Sequence, residues 1–353
     1  MKYGIWAVEY AANYFPDSIM EFRSRLLAVI SALIGLTLFI YVIKQTGLSE
    51  IASNLRAVGA GFLLILAVSS TRYLSRALAW LRCMNPEERR VGFWALWRAR
   101  LAGEAVGDLT FGPVVAEPMR LIALGDRLSI SSGISSLAVE NIAYAVSSCL
   151  MVMAGMVALL AGFGLNESMR TAALIALAVV VALVAAPVVT ISRRWKIGSI
   201  LLSALAGLLA RDESRRGRIE AKIDRLRELE DYVFDFYAKR PRDFFVLVLC
   251  QAAFHLAGAV EIYLTLRLMG LDVGFVAAGA FESVNRAINM AFAFVPALVG
   301  VDEAGTGALV KAAGFDFDHG VTLALIRKIR MFSWIGIGLV FLAAARKGSG
   351  EQK

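Results

Sequence analysis

Residues 289–306 read NMAFAFVPALVGVDEAGT, and the fold turns on how they are understood. Apolar residues flank the stretch on both sides, yet it holds Pro296, Gly300, Asp302, Glu303 and Gly305 within ten positions. A soluble loop has no use for so much Phe, Val and Ala. An ordinary membrane helix does not tolerate so much charge and helix-breaking chemistry. Non-helical backbone at membrane depth survives only where protein or a water-filled cavity satisfies its N–H and C=O groups. The stretch is therefore read as the tip and return arm of a re-entrant helical hairpin that lines a cavity.

The rest of the chain sets the context. Of 353 residues, 58% are hydrophobic, with a mean hydropathy of +0.66. Soluble domains are about 45–50% apolar, so this is an integral membrane protein. Cys83, Cys149 and Cys250 lie in apolar runs and read as small buried hydrophobes, not as a disulfide framework. Only two histidines occur, His255 and His319, which argues against a histidine-based metal site. The net charge of +8 sits mostly between apolar segments, so nucleic acid is not the expected partner. Residues 1–25 carry Glu9, Asp17, Glu21, Arg23 and Arg25 and read as an amphipathic lead-in, not a cleaved signal.

A spanning helix needs about 20 mainly apolar residues. Six segments qualify: 26–43, 60–82, 134–161, 171–191, 244–268 and 322–345. Two more stretches, 93–124 and 275–313, are apolar but hold Gly and Pro near the middle. Basic residues set orientation. The connection 192–242 carries 13 Lys/Arg and the region 82–128 carries seven, whereas 271–320 has only Arg286 and Lys311. The first two belong in the cytoplasm and the third outside, with the tail 346–353 inside. Six spans satisfy this only if both odd stretches enter the membrane and return to the side they came from.

The two halves share a plan. Pro113 lies 53 residues after Ala60, and Pro296 lies 53 residues after Asp243. Phe111 and Phe294 precede these prolines by two positions, and Glu117 and Glu303 follow them. The expectation is an all-α polytopic fold with repeat A at about 60–161, repeat B at about 243–345, and opposite orientations. Inverted repeats with interrupted helices are a recurring transporter design.

Charges inside apolar segments are the sharpest functional clues, because each is costly in the bilayer and needs a partner. Glu282, Asn285, Arg286 and Asn289 share one helical face: a cavity wall touching a lipid headgroup, or a structural seam. Arg72 and Arg76 stand i, i+4 on the second span, suited to a phosphate, or to pairing with Glu140 or Glu261. Asn141 follows Glu140 in the third span. Glu104, Asp108, Glu117 and Arg120 surround the first tip, and Arg100 shares a face with Glu104 and Asp108. Acids there either exchange protons or cap the return helix. Asp302 is read as a cap and Glu303 as a site residue. Arg327 and Arg330 open the last span and attract an anion if they face inward, while Lys328 is read as interfacial. His255 reads as a satisfied helix residue, and Trp80, Trp94, Trp97 and Trp195 as an interfacial belt. In 211–240, Ile219, Ile223, Leu226, Val233 and Tyr237 form a helical stripe, expected to lie on the anionic inner leaflet or to dock a partner enzyme. No Walker lysine motif, credible Ser-His-Asp order or metal signature stands out, so no cofactor, metal or catalytic residue is expected.

The runs RARLAGEAVGDLTFGPVVAEPMRLIAL, FVPALVGVDEAGTGALVKAAG and ALIRKIRMFSW resemble the transmembrane region of bacterial lysylphosphatidylglycerol synthases, also found in stand-alone flippase-like proteins. The resemblance covers about 25–345. It implies matches at Gly103, Glu104 and Arg120 around the first proline, at Pro296, Gly300 and Glu303 around the second, and at Arg327 or Arg330 in the last helix. Two departures stand out. The Pro-Gly-Gly-Leu-Gly-like tip is PALVG here, which loses a flexible glycine, and the soluble aminoacyl-transferase domain does not follow the last span. The resemblance therefore implies movement of a lipid between leaflets, without lipid aminoacylation, in the bacterial inner membrane with both termini cytoplasmic. Two rivals stay open. One is a scaffold that recruits a lipid-modifying enzyme through 211–240. The other is a membrane-embedded lipid transferase using Glu104 or Glu303 as base. Expected partners are membrane lipids, with a homodimer and a cytoplasmic lipid-modifying enzyme as the protein partners to consider.

Overall fold

The computed structural model describes residues 48–109, 113–162, 167–209, 213–292, 295 and 298–350, together with helical positions at 37, 40, 41 and 44. Among the described residues every regular element is helical. The expected lead-in at 1–25, nearly all of the first span, Phe111, Phe294 and Pro296 lie outside them.

The remaining expected spans correspond to helices. After α1 (Leu48–Val58) comes α2 (Gly61–Cys83). A 3-10 turn at Pro86–Val91 leads into the first hairpin, α3 (Phe93–Leu109) and α4 (Pro113–Leu124). Then follow α5 (Ile130–Gly162), α6 (Glu167–Ser192), α7 (Ile197–Leu209), α8 (Glu213–Lys239) and α9 (Pro241–Leu268). The second hairpin is α10 (Phe275–Ala291) and α11 (Val301–Ala312), and α12 (Phe317–Gly350) closes the fold. Four helices, α2, α5, α6 and α9, are long and apolar enough to cross a membrane by composition. Helix α12, with 34 residues, is long enough, at 1.5 Å per residue, but carries Arg327, Lys328 and Arg330 in its first half. Helices α4 and α11 have 12 residues each. At about 18 Å they fall short of the roughly 30 Å hydrocarbon core.

Packing repeats between the halves. Helices α2 and α9 run against each other at the centre. Helix α3 lies on α12, and its counterpart α10 lies on α5, so each hairpin's first arm packs on the last helix of the other half. One glycine admits each crossing. A Cβ on Gly155 of α5 would collide with Ser283 of α10, and a Cβ on Gly338 of α12 would collide with the Leu101 carbonyl oxygen of α3. Gly155 and Gly338 are separated by the same interval as Pro113 and Pro296. A core of Ile65, Ile262, Leu266, Phe281, Leu323 and Ile326 fills the junction of α2, α9, α10 and α12.

Two expectations change here. Trp80 is no belt residue: it is fully buried among Leu96, Leu124 and Leu137, and its Nε1 donates to Ser136 Oγ at 3.1 Å. Trp94 and Trp195 are exposed, as a belt requires. The stripe on α8 is not wholly free for lipid either. Val233, with Phe234 and Phe236, is buried against Ala79, Val139 and Leu247. The Tyr232 hydroxyl donates to Cys83 O at 2.6 Å, and burial pushes that phenol up to about 12. Arg240 donates to the carbonyls of Arg82 and Met84 at 2.9 and 2.5 Å, satisfying the open end of α2.

Candidate functional site

The first hairpin brings a closed ion network together. Gly103 lets α3 and α4 meet, since a Cβ there would reach Ala116 O at 2.7 Å and strike Arg120. Arg76 of α2 is bidentate on Glu140 of α5, Nε to Oε1 and Nη2 to Oε2, both at 2.8 Å, and its Nη2 also reaches Asn141 Oδ1 at 3.1 Å. Arg100 of α3 donates to Glu140 Oε2 at 3.3 Å and to Glu104 Oε1 at 3.0 Å. Arg120 of α4 donates to Glu104 at 3.3 Å and Glu117 at 2.5 Å. Asn141 Nδ2 closes the ring on Glu117 at 3.0 Å. Three arginines alternate with three glutamates, and Arg100 and Glu140 are completely buried. Sharing each carboxylate between partners goes most of the way to the condition for a tolerable buried charge, with Glu117 Oε2 and Arg120 Nε left without a hydrogen-bond partner.

The second half holds shorter chains of charge. Arg286 Nη2 donates to Glu282 Oε1 at 2.5 Å and Nη1 to Tyr144 OH at 3.0 Å. Glu261 of α9 faces Arg330 at 2.6 Å and Arg72 at 3.5 Å. Asp302 lies 3.5 Å from Arg327. Thr306 donates to Asn285 Oδ1 at 2.8 Å. Several buried atoms here lack hydrogen-bond partners: Glu261 Oε1, Asn285 Nδ2, Asn289 Oδ1, Arg286 Nε and Arg330 Nε.

One aromatic pair joins the halves. The guanidinium carbons of Arg72, Arg286 and Arg76 stand 4.6, 5.1 and 5.9 Å from the Phe254 ring centroid, and that of Arg76 lies 3.9 Å from the Tyr144 centroid. Cation–π attraction strengthens when the cation is desolvated, so these rings add to the hold that Glu261, Glu140 and Glu282 have on the same arginines.

The charge pattern foresaw much of this. Arg72, Arg76, Glu104, Glu117, Arg120, Glu140, Asn141, Glu282, Asn285, Arg286 and Arg330 all fall in or beside the polar core. The pairings of Arg76 with Glu140 and of Arg72 with Glu261 are the structural alternatives to phosphate binding. Asp108 is exposed and outside the network, and Asn289 is half-buried. Arg327 and Arg330 turn to different partners. Three assignments are corrected. Glu303 is the cap: its Oε2 accepts from Gly300 N–H at 2.8 Å. Asp302, expected to cap, meets Arg327 instead. Lys328 is not interfacial but 8% exposed; its Nζ lies 3.0 Å from Glu303 and donates to Leu298 O at 3.3 Å. His255 is only half satisfied, with Nε2 3.0 Å from Ser147 Oγ and Nδ1 unpartnered. The side chain of Pro113 lies outside the described set, although its backbone opens α4. Arg100, Tyr144 and Phe254 are core members that the candidate set lacked. Only Arg100 had a signal, its spacing of four from Glu104.

The sequence profile of the family described as "Lysylphosphatidylglycerol synthase TM region" matches residues 27–340. No curated protein and no solved structure matches the chain. With nearly its whole length matched, the chain belongs to the family of lysylphosphatidylglycerol synthase transmembrane regions.

Proposed function

We propose that the protein moves a phosphate-bearing, anionic lipid between the membrane leaflets, with the headgroup crossing the polar core while the acyl chains stay in the bilayer. The observation that carries this reading is the set of three arginines around Phe254, within one polar core formed from both halves. Guanidinium groups match phosphate oxygens bidentately, and charge at membrane depth is costly enough to indicate a purpose. A family of membrane regions named for a phospholipid synthase favours a lipid as the substrate.

In this reading the two hairpins are re-entrant, the repeats are inverted, and the protein is a transporter rather than an enzyme. It sits in the cytoplasmic membrane with both termini inside. The packing of each hairpin on the other half's last helix supports alternating access. As one hairpin tilts, the opposite half must follow.

The test is lipid movement in vesicles holding the purified protein and fluorescent phosphatidylglycerol. Removing a whole ion pair avoids an orphaned carboxylate, so Arg286→Gln is combined with Glu282→Gln. We expect movement to slow at least tenfold, about 1.4 kcal/mol, while lipid mass spectra of expressing cells stay unchanged. Unimpaired movement would sink the site assignment, and a chemically altered lipid would favour a transferase.

A further inference from the structure

His255 stands at the middle of α9, 7% exposed. Its Nε2 lies 3.0 Å from Ser147 Oγ. The single hydroxyl hydrogen of Ser147 has two acceptors in reach besides the ring, Tyr144 O at 3.0 Å and Gln251 Oε1 at 3.5 Å. With that hydrogen on the Tyr144 carbonyl, Ser147 accepts from the ring, which places the imidazole hydrogen on Nε2 and leaves a bare lone pair on Nδ1. That atom is buried without a hydrogen-bond partner, and so is Nε2 of Gln251, one turn away on the same helix. A buried acceptor and a buried donor left open one turn apart on the same helix are groups that water would satisfy.

The charged and titratable groups nearest the ring come from three helices packed on α9. Helix α2 brings Arg72 and Arg76, α10 brings Glu282 and Arg286, and α5 brings Tyr144. Glu261, on α9 itself, is held by Arg330 of α12. Each of the three guanidinium groups is already paired, Arg72 with Glu261, Arg76 with Glu140 and Arg286 with Glu282, so a further positive charge on the ring meets no unpaired carboxylate among them. A phosphate arriving at those arginines adds the negative charge that the ring lacks. Building on the transport reading, we propose that His255 Nδ1 is a proton site coupled to the lipid headgroup, so that one proton binds and crosses with each anionic lipid. The proton comes from bulk water on one side, forms an N–H bond at Nδ1, and leaves to water on the other side as the lipid departs. Linkage is reciprocal: the anion favours the proton, and the proton favours the anion. A singly charged phosphodiester would then cross without net charge.

The chain has only two histidines, which makes the test direct. Protein carrying His319→Gln is labelled with 15N-histidine, placed in neutral-lipid nanodiscs, and titrated with dioctanoyl phosphatidylglycerol. The expected spectrum shows the neutral Nε2–H form without the anionic lipid and the imidazolium with it, at the same pH. In vesicles, an imposed pH gradient should drive phosphatidylglycerol movement, and His255→Gln, which can still donate to Ser147, should lose that dependence. A ring on which phosphatidylglycerol binds without changing protonation, or an Nδ1–H tautomer, overturns the proposal. Lipid movement indifferent to the gradient overturns the coupling but leaves the transport reading standing. A coupled ring with no lipid movement overturns the transport reading alone, and absence of phosphatidylglycerol binding overturns both.

Discussion

At Leu298 the chain adopts a left-handed backbone with φ 51°, one of two non-glycine residues to do so among the described residues. It stands in the PALVG tip, where the family resemblance leads one to expect a second glycine. The left-handed conformation costs an L-residue roughly 1–2 kcal/mol, and Lys328, by donating to the Leu298 carbonyl, helps hold it. Leu298→Gly should therefore raise the melting temperature of detergent-solubilised protein, by about 1 kcal/mol of stability; a lower melting temperature would mean that the leucine side chain matters more than the strain. The Arg76–Glu140 pair gives a second residue-scale expectation. Arg76→Ala leaves the fully buried Glu140 carboxylate with only the longer bonds from Arg100 and should cost about 3 kcal/mol, the low end for a broken buried pair. Adding Glu140→Gln should recover most of the loss, read as the yield of monodisperse protein. Charges inside apolar segments made these partners legible, because each needs an opposite. Phe254 was not legible, since a phenylalanine in an apolar helix carries no mark of the guanidinium groups over its face. Lys328 was misread because its sequence neighbours point elsewhere, while its long stem reaches back to Glu303.

Among elements, the division into α3 and α4 and into α10 and α11 was visible in the sequence through glycine and proline set within apolar runs, and α4 and α11 are both short. The crossed packing of α3 on α12 and α10 on α5 was not visible, because a glycine that admits a neighbouring helix looks like any other small residue in an apolar span. The two crossings differ in a testable way. The atoms that obstruct a Cβ on Gly155 belong to the Ser283 side chain, whereas Gly338 faces a backbone carbonyl. Gly155→Ala should disrupt folding and be rescued by Ser283→Gly. Gly338→Ala should disrupt folding with no comparable side-chain rescue. Size-exclusion profiles of the variants would decide, and rescue failing at Gly155 would mean the helices separate rather than repack. Helix α8 was read from its periodic stripe, and periodicity alone does not tell a lipid surface from the flank of a protein bundle.

For the whole molecule, opposed hairpins are checked by side-specific labelling. With Cys83, Cys149 and Cys250 replaced, a cysteine at Val115 should label from the cytoplasm and one at Ala297 from outside. Labelling from the reverse sides would mean that these segments cross the membrane outright. The exchange of hairpin arms between halves also bears on how the chain is made. Helix α3 leaves the ribosome early, yet the surface it needs belongs to α12, which is made long after it, and α5 waits for α10 in the same way. Contacts so far apart in sequence form slowly and leave unpaired faces exposed meanwhile. Biogenesis is thus obliged to shelter an unfinished first half, with the faces of α3 and α5 uncovered, until α12 and α10 have been made. A gene cut between Leu209 and Glu213 should yield two fragments that are each degraded alone and persist when made together.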